Sequence, residues 1–281
     1  MNETHGVRPV IKSMIIYGDC WPVVSAVQGV VNGIRLACTC ETPPDLPSLI
    51  QQLTREPHAV LLLCLRPREH IFLFHALRYQ LRHHYTMIIS DDFLFCDRVL
   101  LDIWGALPHM HHYTLARMMR NLNPELCGPD FSVRAHCSQD IPQTNFTIVP
   151  RNASVLPLFP ADFQQEEPLI NYLNVLMHRE MLRKGVTPFR FCLLQAVWSG
   201  YQGHDELAAL LGVPRKTIWK EKYRLMTQLQ MPVRLRAVLY GTRFCSFLQR
   251  TPFMTPTEAT QLRLNSLKAG SGMTGPVKDV M

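Results

Sequence analysis

In residues 1–122, short apolar runs alternate with segments of helical spacing, and this alternation narrows the fold more than any other feature of the chain. Ser13 to Gly18 (SMIIYG) is strand-like, and Pro22 to Ile34 follows with apolar residues at helical intervals. Arg35 to Cys40 reads as a strand and Leu46 to Thr54 as a helix. Ala59 to Leu65 is apolar throughout, the pattern of a strand covered on both faces. Arg68 to Leu81 places Ile71, Phe74, Leu77 and Leu81 at helical spacing. Tyr85 to Ser90 is a strand again, and a helix closes the region over Tyr113 to Asn121. Consecutive strands separated by helices pair in parallel, because a crossover helix returns the chain to the end of the sheet at which the preceding strand began. The expected fold is therefore α/β, a doubly wound parallel sheet. Asp91 to Met110 has no clear period, although the sheet requires one more strand there.

Residues 123–165 change character: Pro124, Pro129, Pro142, Pro150, Pro157 and Pro160 break any long element, which reads as a linker. The next region, 166–250, is all-α. A helix is expected near Pro168 to Lys184, and a second over Thr187 to Ser199, with Phe191, Leu194, Val197 and Trp198 on one face. His204 to Leu211 is a third, facing inward with Leu207, Ala208 and Leu211. Gly212-Val213-Pro214 makes a turn into Arg215 to Gln230, whose core stripe is Ile218, Leu225 and Leu229. Met231 to Tyr240 adds one more helix. Residues 251–281 read as a tail with a single short helix. There Thr255-Pro256-Thr257-Glu258 combines an N-cap Thr, a Pro at the first helical position and a Glu at the third.

Charge separates the two halves. Between Arg183 and Arg250 stand twelve basic residues against Asp205, Glu206 and Glu221, an excess of nine. The whole chain carries +7, so the rest of it is at −2. A positive excess confined to one helical segment calls for a polyanionic partner. With 47% hydrophobic residues the chain can bury a sizeable core, yet no apolar run reaches the length of a membrane span. The N-terminus lacks the tripartite order of a secretory signal, so a cytoplasmic protein without membrane contact is expected. Its nine scattered cysteines then read as reduced, buried thiols.

The stretch GYQGHDELAALLGVPRKTIWKEKYRLMTQL resembles the LuxR-type helix-turn-helix of bacterial transcription regulators. The matching positions are Gly200, Glu206-Leu207-Ala208, Leu211, Lys216-Thr217-Ile218, Leu225 and Leu229. The chain departs from that pattern in four ways. The gap from Gly200 to Glu206 is about one residue longer, and Pro214 stands where a Ser usually caps the recognition helix. Glu221 replaces a common His, and Lys222 occupies an often apolar position, which its alkyl stem can still fill. The resemblance implies that the helix over Arg215 to Gln230 enters the major groove of double-stranded DNA. Trp219, Lys220 and Tyr223 would then meet base edges, with Arg215, Lys216, Thr217 and Arg224 on phosphates.

A parallel sheet ahead of a LuxR-type domain is similar to two-domain response regulators. Of the receiver's site, Asp19 and Pro22 are present, Cys20 replaces the second acidic residue, and Cys64 falls at or next to the phosphoacceptor position. Ser90 matches the Ser or Thr that ends the fourth strand, but no lysine occurs between Lys12 and Lys184. Aspartyl phosphorylation needs a carboxylate cluster for Mg²⁺ and a lysine for the phosphoryl group. The expected domain is therefore a degenerate, phosphorylation-independent receiver, resembling the atypical regulators of enteric bacteria. That resemblance implies a homodimer or a heterodimer with another regulator.

Cys38-x-Cys40, His83-His84 and His109-x-His111-His112 lack a second half with metal-ligand spacing. There is no phosphate-binding loop, nucleophile elbow or zincin helix, so neither an enzyme nor a cofactor or metal protein is expected. The expected function is a DNA-binding transcription regulator. The alternative is a protein-interaction co-regulator that pairs with or sequesters another regulator and hardly touches DNA.

Overall fold

A computed structural model of the chain describes residues 13–33, 38–122, 162–201 and 203–271. The expected linker lies largely outside the described residues, as does the chain beyond the last helix.

Five strands form one sheet: β1 (Ser13–Gly18), β2 (Thr39–Glu41), β3 (Val60–Cys64), β4 (Thr86–Ser90) and β5 (His109–His111). Their order is β2-β1-β3-β4-β5 and every pairing is parallel. The register sets Gly18 opposite Cys64 and Ser90 opposite His111, so the carboxyl ends of the strands are level. Glycine is required at position 18, where a Cβ would lie 2.3 Å from the Cys64 carbonyl oxygen. Alternation then divides the buried side chains between the faces. Met14, Ile16, Val60, Leu62, Cys64, Met87 and Ile89 meet Val24, Val27 and Val31 of α1 (Trp21–Gly33), with Leu115 of α6 (His112–Leu122) against the same cluster. Ile15, Leu61, Leu63 and Ile88 point the other way, into the larger core. That core includes Leu46, Leu49, Ile50 and Leu53 of α2 (Leu46–Arg55), which Asp45 caps by accepting from the Ser48 N–H at 2.8 Å. The α/β half is thus the doubly wound sheet that the alternation implies.

The single helix expected over Arg68 to Leu81 is three pieces: a 3₁₀ turn Pro67–Glu69, α3 (Ile71–Ala76) and α4 (Gln80–His83). Around Arg68 and Ile71, backbone groups bind distant partners in place of one another. Asp97 accepts from the Arg68 N–H at 2.7 Å, and the Gln249 amide takes the Ile71 N–H at 2.8 Å and the Arg68 carbonyl at 2.9 Å. The unassigned stretch after β4 holds α5 (Phe95–Ile103) as well as β5, with Asp97 also accepting from the Leu94 N–H at the start of the helix.

The helical half comprises α7 (Glu166–Arg183), α8 (Pro188–Trp198), α9 (His204–Leu211), α10 (Arg215–Gln228) and α11 (Leu235–Gly241). α7 buries Leu169, Leu173, Met177 and Met181, one per turn, and contacts α5. α11 also packs on α5, where the Cys96 thiol bonds the Tyr240 carbonyl at 3.1 Å. One buried apolar cluster therefore runs from the sheet through α5 into α7, α8 and α10. The segment read as a tail carries a sixteen-residue helix, α12 (Pro256–Ser271), packed on α2 and α3 of the first half. Thr255 and Glu258 close its capping box, with the carboxylate accepting from the Thr255 N–H at 2.7 Å.

Among the described residues Cys64, Cys96 and Cys245 are buried, but Cys20 and Cys192 are exposed, which differs from the expectation of buried thiols. No helix among the described residues is long and apolar enough to cross a membrane.

Candidate nucleic-acid interface

α10 is held from below and open above. Ile218, Leu225, Met226 and Leu229 are fully buried against Leu194 and Val197 of α8 and Leu207 of α9. Gly212 ends α9 at φ +64°, the left-handed conformation that favours glycine, and turns the chain into α10. Pro214 then occupies the N-cap without a side-chain hydrogen bond. At the other end, Gln230 takes φ +50° while the Met231 N–H reaches back to the Met226 carbonyl at 2.9 Å. The Arg98 guanidinium on α5 donates to the Leu229 and Gln230 carbonyls, a cation at the negative end of the helix. The α/β half thus grips α10 by its C-terminal end.

The outward face presents Lys216, Trp219, Lys220, Tyr223 and Arg224, all exposed. Trp219 is 59% exposed and Tyr223 49%, and their rings stack at 5.8 Å and 16°. Side by side, the two rings form one exposed aromatic surface on the helix. Arg215 is also exposed, 3.3 Å from Asp205 on α9. Thr217 is half-buried on the flank of the helix, turned away from the aromatic pair. Arg224 bonds Glu221 at 2.9 Å, and Glu221 also receives the Nε of Arg190 on α8 at 2.9 Å. Lys216 and Lys220 have no carboxylate partner among the described residues. Lys222 is half-buried, and burial lowers its pKa, as expected for a stem packed inward.

Neither the Arg190–Glu221–Arg224 bridge nor the Arg98 clamp is legible from sequence spacing. Arg98 lies far from α10 in the chain, and an arginine on an amphipathic helix gives no sign of its partner.

The carboxyl ends of the strands hold different chemistry from a phosphoacceptor site. Asp19 follows β1 and is bound by Arg250, with His70 Nε2 at 3.4 Å. Those partners, His70 foremost, hold its carboxyl down at about 2. Cys64 ends β3 as a buried thiol whose pKa burial pushes up to about 12. Ser90 is buried at the end of β4, 3.3 Å from an Asp91 carboxylate oxygen, and His111 is its register partner on β5. Among the described residues, no group of three or more His, Cys, Asp or Glu side chains is placed to hold a metal ion.

No family model and no curated protein matches the chain.

Proposed function

We propose that this protein is a phosphorylation-independent transcription regulator that reads double-stranded DNA with α10 in the major groove. The observation that carries the reading is the outward face of α10. Two lysines without a carboxylate partner among the described residues flank a stacked Trp219–Tyr223 pair on a helix whose opposite side is fully buried. An α-helix fits the major groove, where lysine donates to guanine and an aromatic edge meets a thymine methyl. Arg215 and Arg224 lie at the rim, each beside a carboxylate, positions suited to phosphates that compete for the guanidinium. The grip of α5 on the far end of α10 leaves this face open, so DNA can approach without separation of the halves. In the α/β half, a buried thiol at the end of β3 and an arginine on Asp19 replace the groups that would accept and stabilise a phosphoryl group, which supports a regulator that works without one. Pairing with a second copy or another regulator belongs to the same proposal.

The test is retention of genomic DNA fragments by purified protein over a salt series, followed by sequencing of the retained pool. Selective retention of a few fragments, weakening as salt rises, is the expected result. Indiscriminate retention at low salt alone, unchanged in a Lys220→Ala/Arg224→Ala variant, would overturn it.

A further inference from the structure

We propose that the cleft between the two halves is a binding site for a small organic phosphate monoester carrying a flat ring. The cleft measures about 730 Å³, within the range of small-molecule sites. Its floor is built by Arg66, Asp91 and Asp92, which follow the carboxyl ends of β3 and β4, where parallel sheets commonly place ligands. Facing them are Arg234, Arg236 and Tyr240 at and within α11, and Phe247 from the 3₁₀ turn Ser246–Leu248.

The charges on the two walls are not equivalent. Arg66 pairs with Asp91 at 2.5 Å and Glu69 at 3.2 Å, and Arg68 with Asp92 at 2.8 Å. Arg250 pairs with Glu69 at 2.9 Å. These cations are matched by the acids around them. Arg234 and Arg236 have no carboxylate partner among the described residues, which leaves two positive charges on the opposite wall. Two guanidiniums at one mouth suit a doubly charged anion with several acceptor oxygens. The ring requirement comes from Phe247, 71% exposed although it lines the cleft. A flat apolar body laid on Phe247 would cover surface that is otherwise left in water.

The site is independent of α10 and stands or falls without the DNA reading. The probe is phenyl phosphate, with inorganic phosphate and phenol as its two halves, titrated calorimetrically into the full chain without DNA. Saturable binding of one phenyl phosphate per chain is expected, about tenfold or more tighter than inorganic phosphate, because the ring adds buried apolar surface. Arg234→Ala/Arg236→Ala should weaken it at least about tenfold. Phe247→Ala should remove the advantage over inorganic phosphate while leaving phosphate binding intact. All three positions are exposed, and an unchanged thermal midpoint shows that the variants fold. The proposal is overturned if no saturable binding occurs, or if the double variant binds phenyl phosphate as the wild type does.

Discussion

Gln230 closes α10 at φ +50°, a conformation that costs a residue with a Cβ about 1–2 kcal/mol. Gln230→Gly removes that strain at some cost in unfolded-chain entropy, so urea unfolding should show a gain of about 0.5–1 kcal/mol. Gly212 is the converse case at φ +64°, with open space around a would-be Cβ. Gly212→Ala should therefore lose about 1 kcal/mol from backbone strain alone, without a steric clash. His75 sets a pH dependence. It is buried between Phe253 and Phe163, neither ring nitrogen makes a hydrogen bond of good geometry, and burial draws its pKa down to about 4. Below the ordinary histidine range the unfolded chain takes up a proton that the folded chain refuses. This contribution to stability is therefore full above about pH 6.5 and falls with a slope of up to about 1.4 kcal/mol per pH unit down to about pH 4. His75→Phe should flatten that limb in urea titrations across pH 4–7. An unchanged slope would show that His75 titrates normally in the folded chain.

At the scale of elements, β1, β3 and α10 are legible in the sequence because each rests on a local period. SMIIYG and VLLLC are apolar runs of strand length, and Ile218, Leu225 and Leu229 repeat on one helix face. The separation of the 3₁₀ turn from α3 within Arg68 to Leu81 is not legible, because its cause lies in Asp97 and Gln249, partners outside the segment. α12 shows the same limit. Its start is written in the Thr255–Glu258 box, but its docking on α2 depends on a surface far away in the sequence. Of the candidate site, the outward residues of α10 follow from helical spacing, while the bridge that joins Arg224 to Arg190 through Glu221 does not. Arg98 is the element-scale test. It donates to the Phe93 carbonyl at 2.8 Å as well as to the two carbonyls ending α10. Arg98→Met leaves these part-buried acceptors without a charged donor and should cost about 2 kcal/mol by urea unfolding. Arg98→Lys should recover less than half of that, since an ammonium cannot fork across them.

At the scale of the whole molecule, the continuous core makes the halves depend on one another. Leu61 in β3 and Leu225 in α10 are both fully buried in the same cluster. Leu61→Ala and Leu225→Ala should each cost about 2–5 kcal/mol. Each should shift one shared transition, with fluorescence and circular dichroism coincident; separate transitions would show that the halves unfold independently. Such a body presents α10 at a fixed orientation, and on the proposed reading the charge excess of the helical half draws it to DNA. The central claim is that Lys216 and Lys220 meet DNA, and it is tested most directly by the salt dependence of binding to a retained fragment. For the wild type and a Lys216→Ala/Lys220→Ala variant, the logarithm of the association constant is plotted against the logarithm of salt concentration. Two lost phosphate or base-edge contacts should lower the affinity and make the slope shallower by up to about 1.8. Equal affinity and equal slope in the two proteins would contradict the account.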